Sequence, residues 1–307
     1  MDFKIIQEKH NYPEDLVGIY KEIYEALIKY YGEDKEAIIF NSFLSTPIYL
    51  VERGSNIYQT LVDNNMLEED MEDEEIVKTD DLKRASGVHY SSASVEFIDG
   101  QYQIQKIKRC IAVSDFRDYN LLQFIATLIH EFGHLVKAHT NECVIKDDKF
   151  IERSGLIERT YQLSINENGN VKKSLIEEKG VGLEEGINSY DEENIMRSYF
   201  EPDFKMSSYV ALAAFARKIL ENLDIIEDVK QAQFNDDKKA LRDKLTPERY
   251  DQLEKVMDEL YILNLDKFAK MFDSVEMHKT ADKMILKVNE ELLPIYNEIK
   301  SAMGKGI

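Results

Sequence analysis

Apolar residues recur along this chain with two periods, and the places where one gives way to the other outline its elements. After the start signal Pro13-Glu14-Asp15, Leu16, Ile19, Tyr20, Ile23, Leu27 and Tyr30 fall at three- and four-residue steps and predict a helix over residues 11–31. A second helical run is less one-sided. Leu121, Leu122, Ile125, Leu128, Ile129, Phe132, Leu135 and Val136 wrap most of a helix circumference, as expected of a buried helix. Leu183, Ile187 and Tyr190 repeat at i, i+4 and i+7 directly after Gly180 and Gly182. Residues 209–223, 247–263 and 280–303 read as amphipathic helices rich in Glu, Lys and Leu. Extended segments lie between these helices. Residues 88–97 and 102–113 flank Asp99-Gly100, and 150–163 and 171–177 flank Asn166-Glu167-Asn168-Gly169, so two hairpins are expected.

These elements predict an α+β fold, mostly helical, with a small antiparallel or mixed sheet beside the buried helix and a helical C-terminal lobe. Five prolines and thirteen glycines in 307 residues leave no long flexible linker. A mainly helical region 1–87, a central region 88–223 and a C-terminal lobe 224–307 are therefore expected to form one compact unit, although length alone would allow two domains.

The buried helix carries His130-Glu131-Phe132-Gly133-His134. Two imidazoles at i and i+4 project from nearly one face, separated by about 40° around the axis, so both can reach one ion, while Glu131 can reach the water on it. Two histidines and a glutamate inside an apolar helix need something to offset their polarity, and a bound dication does so. A catalytic zinc needs a third protein ligand and an open fourth position. The extended H-E-x-x-H-x-x-G-x-x-H pattern would require glycine at position 137 and histidine at position 140, where the chain has Lys137 and Thr140. His139 is out of register and reads as a helix-end residue favoured by the C-terminal dipole. The other source is a glutamate on a downstream helix, either Glu184 or Glu185, since neighbours on a helix point about 100° apart and only one can face the ion.

The pair of segments resembles the gluzincins, the glutamate-liganded zincins that include thermolysin. More narrowly, it is similar to small bacterial zinc-peptidase-like proteins in which G-L-x-E-G-x-x-x-Y follows the H-E-x-x-H helix. Gly182, Leu183, Gly186 and Tyr190 fall on that pattern, and the resemblance, which spans roughly residues 88–220, implies that Glu185 is the third ligand. It implies a zinc metallopeptidase with a zincin-like core. His130, His134 and Glu185 would hold Zn2+, whose charge lowers the pKa of its water toward ~7, and Glu131 would take the proton and pass it to the leaving amine. Tyr190 and Tyr209 are candidate donors to the developing oxyanion. Thermolysin-like enzymes place an aspartate four residues after the ligand glutamate to orient a histidine; Ser189 stands there, which leaves that partner unassigned. Zincins also lay extended substrate along a sheet edge, and the strand running into Asp115 is expected to supply it.

Composition narrows the partners. With 43% hydrophobic residues the chain can fill a core, and no run approaches the ~18 apolar residues of a membrane span. Residues 1–8 lack the layout of a secretory signal, and Cys110 and Cys143 read as reduced thiols, so a cytoplasmic location is expected. A net charge of −20 disfavours nucleic acid and favours a peptide or protein substrate of basic character. The acidic run from Glu68 to Glu75 reads as a solvated loop and lacks the spacing of a calcium loop. Two rival functions share these features: a regulatory protease or toxin specific for one partner protein, and a non-enzymatic acidic binding protein that keeps the zincin scaffold. The intact Glu131 argues against the second, since a structural zinc site closes its fourth position and has no use for a base.

Overall fold

A computed structural model of the chain describes residues 2–52, 55–67, 85–137, 143–206, 209–235, 237–270 and 273–304. Three helices, α1 (Phe3–His10), α2 (Glu14–Tyr31) and α3 (Glu36–Ser45), lead into the short strand β1 (Ile48–Val51) and helix α4 (Ile57–Asp63). The hairpin β2 (Gly87–Ile98) and β3 (Gln101–Ser114) then enters α5 (Arg117–Lys137). A second group of strands follows, β4 (Cys143–Lys146), β5 (Lys149–Ser154), β6 (Ile157–Ile165) and β7 (Val171–Lys179), and feeds α6 (Val181–Tyr199). The rest is helical: α7 (Val210–Leu223), α8 (Ile226–Phe234), α9 (Lys239–Leu245), α10 (Pro247–Ala269), α11 (Ser274–Lys287) and α12 (Leu293–Met303). The class is α+β with two small sheets. No helix among the described residues is long and apolar enough to cross a membrane.

The first sheet has the order β1-β3-β2, with β1 parallel and β2 antiparallel to β3. Asp99 and Gly100 both take positive φ, 52° and 80°, the conformation that a two-residue turn between right-twisted strands requires. The strand running into Asp115 is β3, and it is the central strand, because β1 pairs with its last four residues from Ile111 to Ser114. Over those four residues it offers no edge, contrary to expectation; the edge strand beside α5 is β2. The second sheet is antiparallel, in the order β4-β5-β6-β7. The segment expected as one strand over 150–163 is two, because Gly155 at φ 61° turns the chain between β5 and β6.

The helix expected over 280–303 is also divided. Asp273 caps α11 by accepting from the backbone N–H groups of Val275 and Glu276, and a π-helical turn, Val288–Leu292, separates it from α12. Pro294 lies at the start of α12; proline has no N–H and its ring crowds the preceding turn, so a wider turn before it relieves both problems.

Two apolar cores flank α5 and α6. Aromatic residues of α2 and α3 close on α5, where Phe43 stacks on Phe132 with ring centroids 4.2 Å apart and Tyr20 meets the same ring edge-on. The other core joins α7–α12. Helix α6 belongs to both, giving Ile195 and Met196 to the first and Leu183, Ile187 and Tyr190 to the second. It is pressed against α10 so closely that a Cβ on Gly182 would lie 2.0 Å from the Met257 carbonyl oxygen. Asp258 on α10 accepts from the backbone N–H groups of Gly180 and Gly182, which caps a helix whose own first residues supply no capping side chain.

Candidate metal centre

Helix α5 is regular only after Asn120, whose φ of −157° and ψ of 86° break the turn and whose Oδ1 accepts from Gln123 N at 3.1 Å. Leu121 and Leu122 therefore sit in an exposed first turn, not in the buried wrap read from the sequence. From Phe124 onward the wrap holds: Phe124, Ile125, Leu128, Ile129, Phe132, Leu135 and Val136 are all buried. Within it, His130 and His134 project toward α6, and Glu185 projects back. His130 Nε2 lies 3.1 Å from Glu185 Oε2 and 3.2 Å from His134 Nε2, and His134 Nε2 lies 3.4 Å from Glu185 Oε1. One ligand atom from each of the three falls within 4.8 Å of the others.

The opposite ring nitrogens are held by other carboxylates. His130 Nδ1 lies 3.1 Å from Glu192 Oε2, a carboxylate placed to accept an Nδ1–H from the ring. Glu192 makes this contact and Ser189 does not; Ser189 is fully buried and contacts neither histidine by a hydrogen bond. Glu184 faces away from the cluster. It lies 3.8 Å from His134 Nδ1, accepts from Leu156 N and Gln233 Nε2, and is 3.9 Å from the ammonium of fully buried Lys137. The two candidate glutamates thus have separate places: Glu185 meets both Nε2 atoms, and Glu184 ties His134 to the β5–β6 turn. The helices are pinned at their crossing by Asn188 Nδ2, which donates to the His130 carbonyl at 2.6 Å, and Gly133 leaves the space for it.

Glu131 is buried beside the edge strand. Its carboxylate accepts the backbone N–H of His89, and a Cβ on Gly87 would lie 2.8 Å from its Oε1. Burial pushes the Glu131 pKa above the ordinary carboxylate value, against the pull of His130 and His134. For Glu185 the balance is reversed: burial works against the charge, but the two imidazoles hold the carboxyl below its ordinary value. Burial likewise opposes a charged His130, and the carboxylates of Glu185 and Glu192 outweigh it and raise its pKa well above normal.

Of the two tyrosines singled out in the sequence, only Tyr209 reaches this place. It is the N-cap of α7, at φ 49°, and its ring stacks on His130 with centroids 5.8 Å apart and planes 21° from parallel. Tyr190 is turned away, with its hydroxyl 3.4 Å from Glu221 and its ring under the Arg217 guanidinium, so it is a packing residue of the C-terminal core. Tyr261, which no sequence pattern marked, stacks on Tyr209 at 5.9 Å and shares a hydrogen bond with it. His89 went unmarked for the same reason. For Glu192 a signal did exist: it stands seven residues, two helical turns, after Glu185 and so on the same face. His139, Thr140 and the acidic run from Glu68 to Glu75 lie outside the described residues.

Two imidazole Nε2 atoms that converge on one carboxylate, with Glu192 at 3.1 Å from one Nδ1 and Glu184 at 3.8 Å from the other, form a group that could hold a metal ion. Comparison with models of protein families, with curated proteins and with solved structures finds no match to this chain.

Proposed function

We propose that this chain is a zinc-dependent metallopeptidase of gluzincin type, in which His130, His134 and Glu185 hold the ion and Glu131 is the general base. The observation that carries the reading is the meeting of His130 Nε2, His134 Nε2 and the Glu185 carboxylate beside the otherwise unexplained buried Glu131. When bound, zinc supplies a Lewis acid for the peptide carbonyl and a water acidic enough to be deprotonated near neutral pH.

The chain's own residues do the rest. Glu192 keeps the proton of His130 on Nδ1, and Asn188 fixes the backbone beneath that ring. Glu131, raised by burial above an ordinary carboxylate, accepts the proton of the attacking water at its carboxylate and returns it to the leaving amine. The His89 backbone N–H holds the Glu131 carboxylate in place. Tyr209, whose ring covers His130, has its pKa held well above normal by burial and the nearby Glu185, so its hydroxyl keeps the proton that a donor to the oxyanion needs.

Metal analysis and a peptide-library digest test this together. The wild-type chain is expected to bind about one zinc and to cleave. Glu131→Gln is expected to keep fold and zinc while losing at least ~10²-fold in rate. Glu185→Gln should lose much of the metal, whereas Glu184→Gln should keep it. Stoichiometric zinc in a His130→Ala/His134→Ala double variant would falsify the assignment, and a zinc-loaded chain that cleaves nothing would favour a scaffold over an enzyme.

A further inference from the structure

The tyrosines around α6 use their hydroxyl protons in two ways. Tyr30 and Tyr31 each donate to Asp191, at 2.7 and 2.9 Å, so both protons are taken up by a carboxylate. Tyr209 and Tyr261 instead share a hydrogen bond with each other. A hydroxyl carries one donor proton, so the bond between two of them uses one and leaves one for a third group.

The backbone disfavours a tyrosine at 209 on two counts. At φ 49° and ψ 23° the residue is in the left-handed region, which a bulky side chain rarely enters. It also holds the N-cap position of α7, where its carbonyl accepts from Ala213 N at 2.9 Å but its side chain makes no capping bond. Asparagine would meet both demands better, so the tyrosine is explained by what its ring and hydroxyl reach. The ring is the middle member of a ladder of three, His130, Tyr209 and Tyr261, with centroid spacings of 5.8 and 5.9 Å and planes 21° and 29° from parallel. Tyr261 comes from α10, three residues after Asp258, so the helix face that caps α6 also braces Tyr209. Both hydroxyls feel the charge of Glu185, and that of Tyr209 also feels Glu131, which sets the pair beside the cluster. Burial raises both pKa values, so neither hydroxyl loses its proton near neutral pH.

We infer that Tyr261 is a positioning residue: held to Tyr209 through the two hydroxyls, it fixes the direction of the one O–H that the pair keeps for the oxyanion of the substrate. The inference rests on the peptidase reading above. A lone phenol hydroxyl turns about its C–O bond and must be ordered as the reaction proceeds. A hydroxyl already engaged by a second phenol is ordered beforehand, and donors fixed in advance are the ones that favour a developing charge.

The test uses the full zinc-loaded chain, the library peptide that the wild type cleaves fastest, and a phosphonamidate copy of that peptide, whose tetrahedral anionic group stands in for the oxyanion. Tyr209→Phe, Tyr261→Phe and the double variant keep the rings and remove only hydroxyls. Tyr261→Phe is expected to keep its zinc, to lose at least about tenfold in kcat with KM little changed, and to bind the phosphonamidate more weakly by a similar factor. Added to the inactive Glu131→Gln chain, it should leave binding of the uncleaved peptide as it was. The double variant should lose no more than Tyr209→Phe alone, because groups that act as one unit are not additive. Unchanged kcat and phosphonamidate affinity in either single variant would overturn the inference, since the pair would then direct no proton. Losses that add in the double variant would overturn it by making the hydroxyls separate donors. Zinc lost from Tyr261→Phe, or equal weakening of peptide and phosphonamidate, would overturn it by making Tyr261 a general support of the site. In each of these cases the peptidase reading stands. A zinc-loaded wild type that cleaves no member of the library would remove both.

Discussion

Helices α5 and α6 meet at one cluster, yet they are buried by opposite chemistry. Helix α5 hides Phe124, Ile125, Leu128, Ile129, Phe132, Leu135 and Val136, and its polar buried residues are those of the site and Lys137. Helix α6 hides Glu184, Asn188, Ser189, Asp191, Glu192 and Glu193, almost a full turn of carboxylates. Apolar burial is favourable wherever there is room, so α5 is stabilised by packing of no particular geometry beyond close contact. A buried carboxylate is tolerated only with a specific partner. On α6 each has one: Lys137 and Gln233 for Glu184, Tyr30 and Tyr31 for Asp191, His130 for Glu192, and Arg197 and Arg217 for Glu193. Helix α5 supplies the pattern that announces the site, and α6 supplies the charges that position it.

The largest effect expected from this difference is at the two glycines where the helices have no room. On α6 the Gly182 Cβ would fall 2.0 Å from the backbone oxygen of Met257, which cannot move without displacing α10. Gly182→Ala is expected to cost more than about 3 kcal/mol, by overpacking against backbone, or to prevent folding. On α5 the Gly133 Cβ would meet the Asn188 side chain at 2.2 Å, which can rotate away at the loss of its bond to the His130 carbonyl. Gly133→Ala should cost about 1–2 kcal/mol, the value of one buried hydrogen bond and some strain. Urea unfolding of the two variants measures this, and equal losses would mean that α6 is no more tightly held than α5.

Much of α5 was legible in the sequence and little of α6 was, for the reason just given. The apolar period, the H-E-x-x-H spacing, the helix read over residues 11–31 and found from Glu14 to Tyr31, and the Asp99-Gly100 hairpin are local patterns, read within one or two turns of chain. The partners of Glu184 and Asp191, and Arg217 of the two that meet Glu193, come from residues 24 to 161 positions away, and no local pattern announces them. The same holds for Tyr261 and His89, which reach the site only when α10 and β2 are in place. Leu121 and Leu122 were misread because the apolar period runs back into the first turn after Asn120, which lies exposed. The edge strand was misassigned because the parallel partner β1 comes from before the hairpin, a pairing that sequence order conceals.

A smaller effect separates the carboxylates of α6 by role. Glu192→Gln leaves the fold's apolar contacts intact but offers a weaker acceptor to His130 Nδ1, and it is expected to reduce zinc affinity about 10–100-fold. Glu193→Gln, one residue on, loosens ion pairs with Arg197 and Arg217 that lie outside the cluster, so zinc affinity should hold while stability falls slightly. Competition with a chromophoric chelator measures both. Equal affinities in the two variants would show that Glu192 is only another paired carboxylate.

The smallest expected effect concerns the cap of α6. Asp258 accepts from Gly180 N and Gly182 N at 2.9 and 2.8 Å, contacts that favour its charged form, but burial is the larger influence and raises its pKa from 3.8 to about 6. A carboxyl whose pKa is higher folded than unfolded binds more protons in the folded state between those two values. Its contribution to stability is therefore fully present below about pH 4 and is lost as pH rises through about 6. Because the group is partly exposed, the whole change should stay near about 1 kcal/mol. Asp258→Asn keeps an oxygen that can accept both N–H groups and removes the titration. Its difference in unfolding free energy from the wild type should shift in favour of the variant between pH 4 and pH 7. A difference that stays constant across that range would mean that the backbone N–H groups hold Asp258 charged and that burial is the lesser influence.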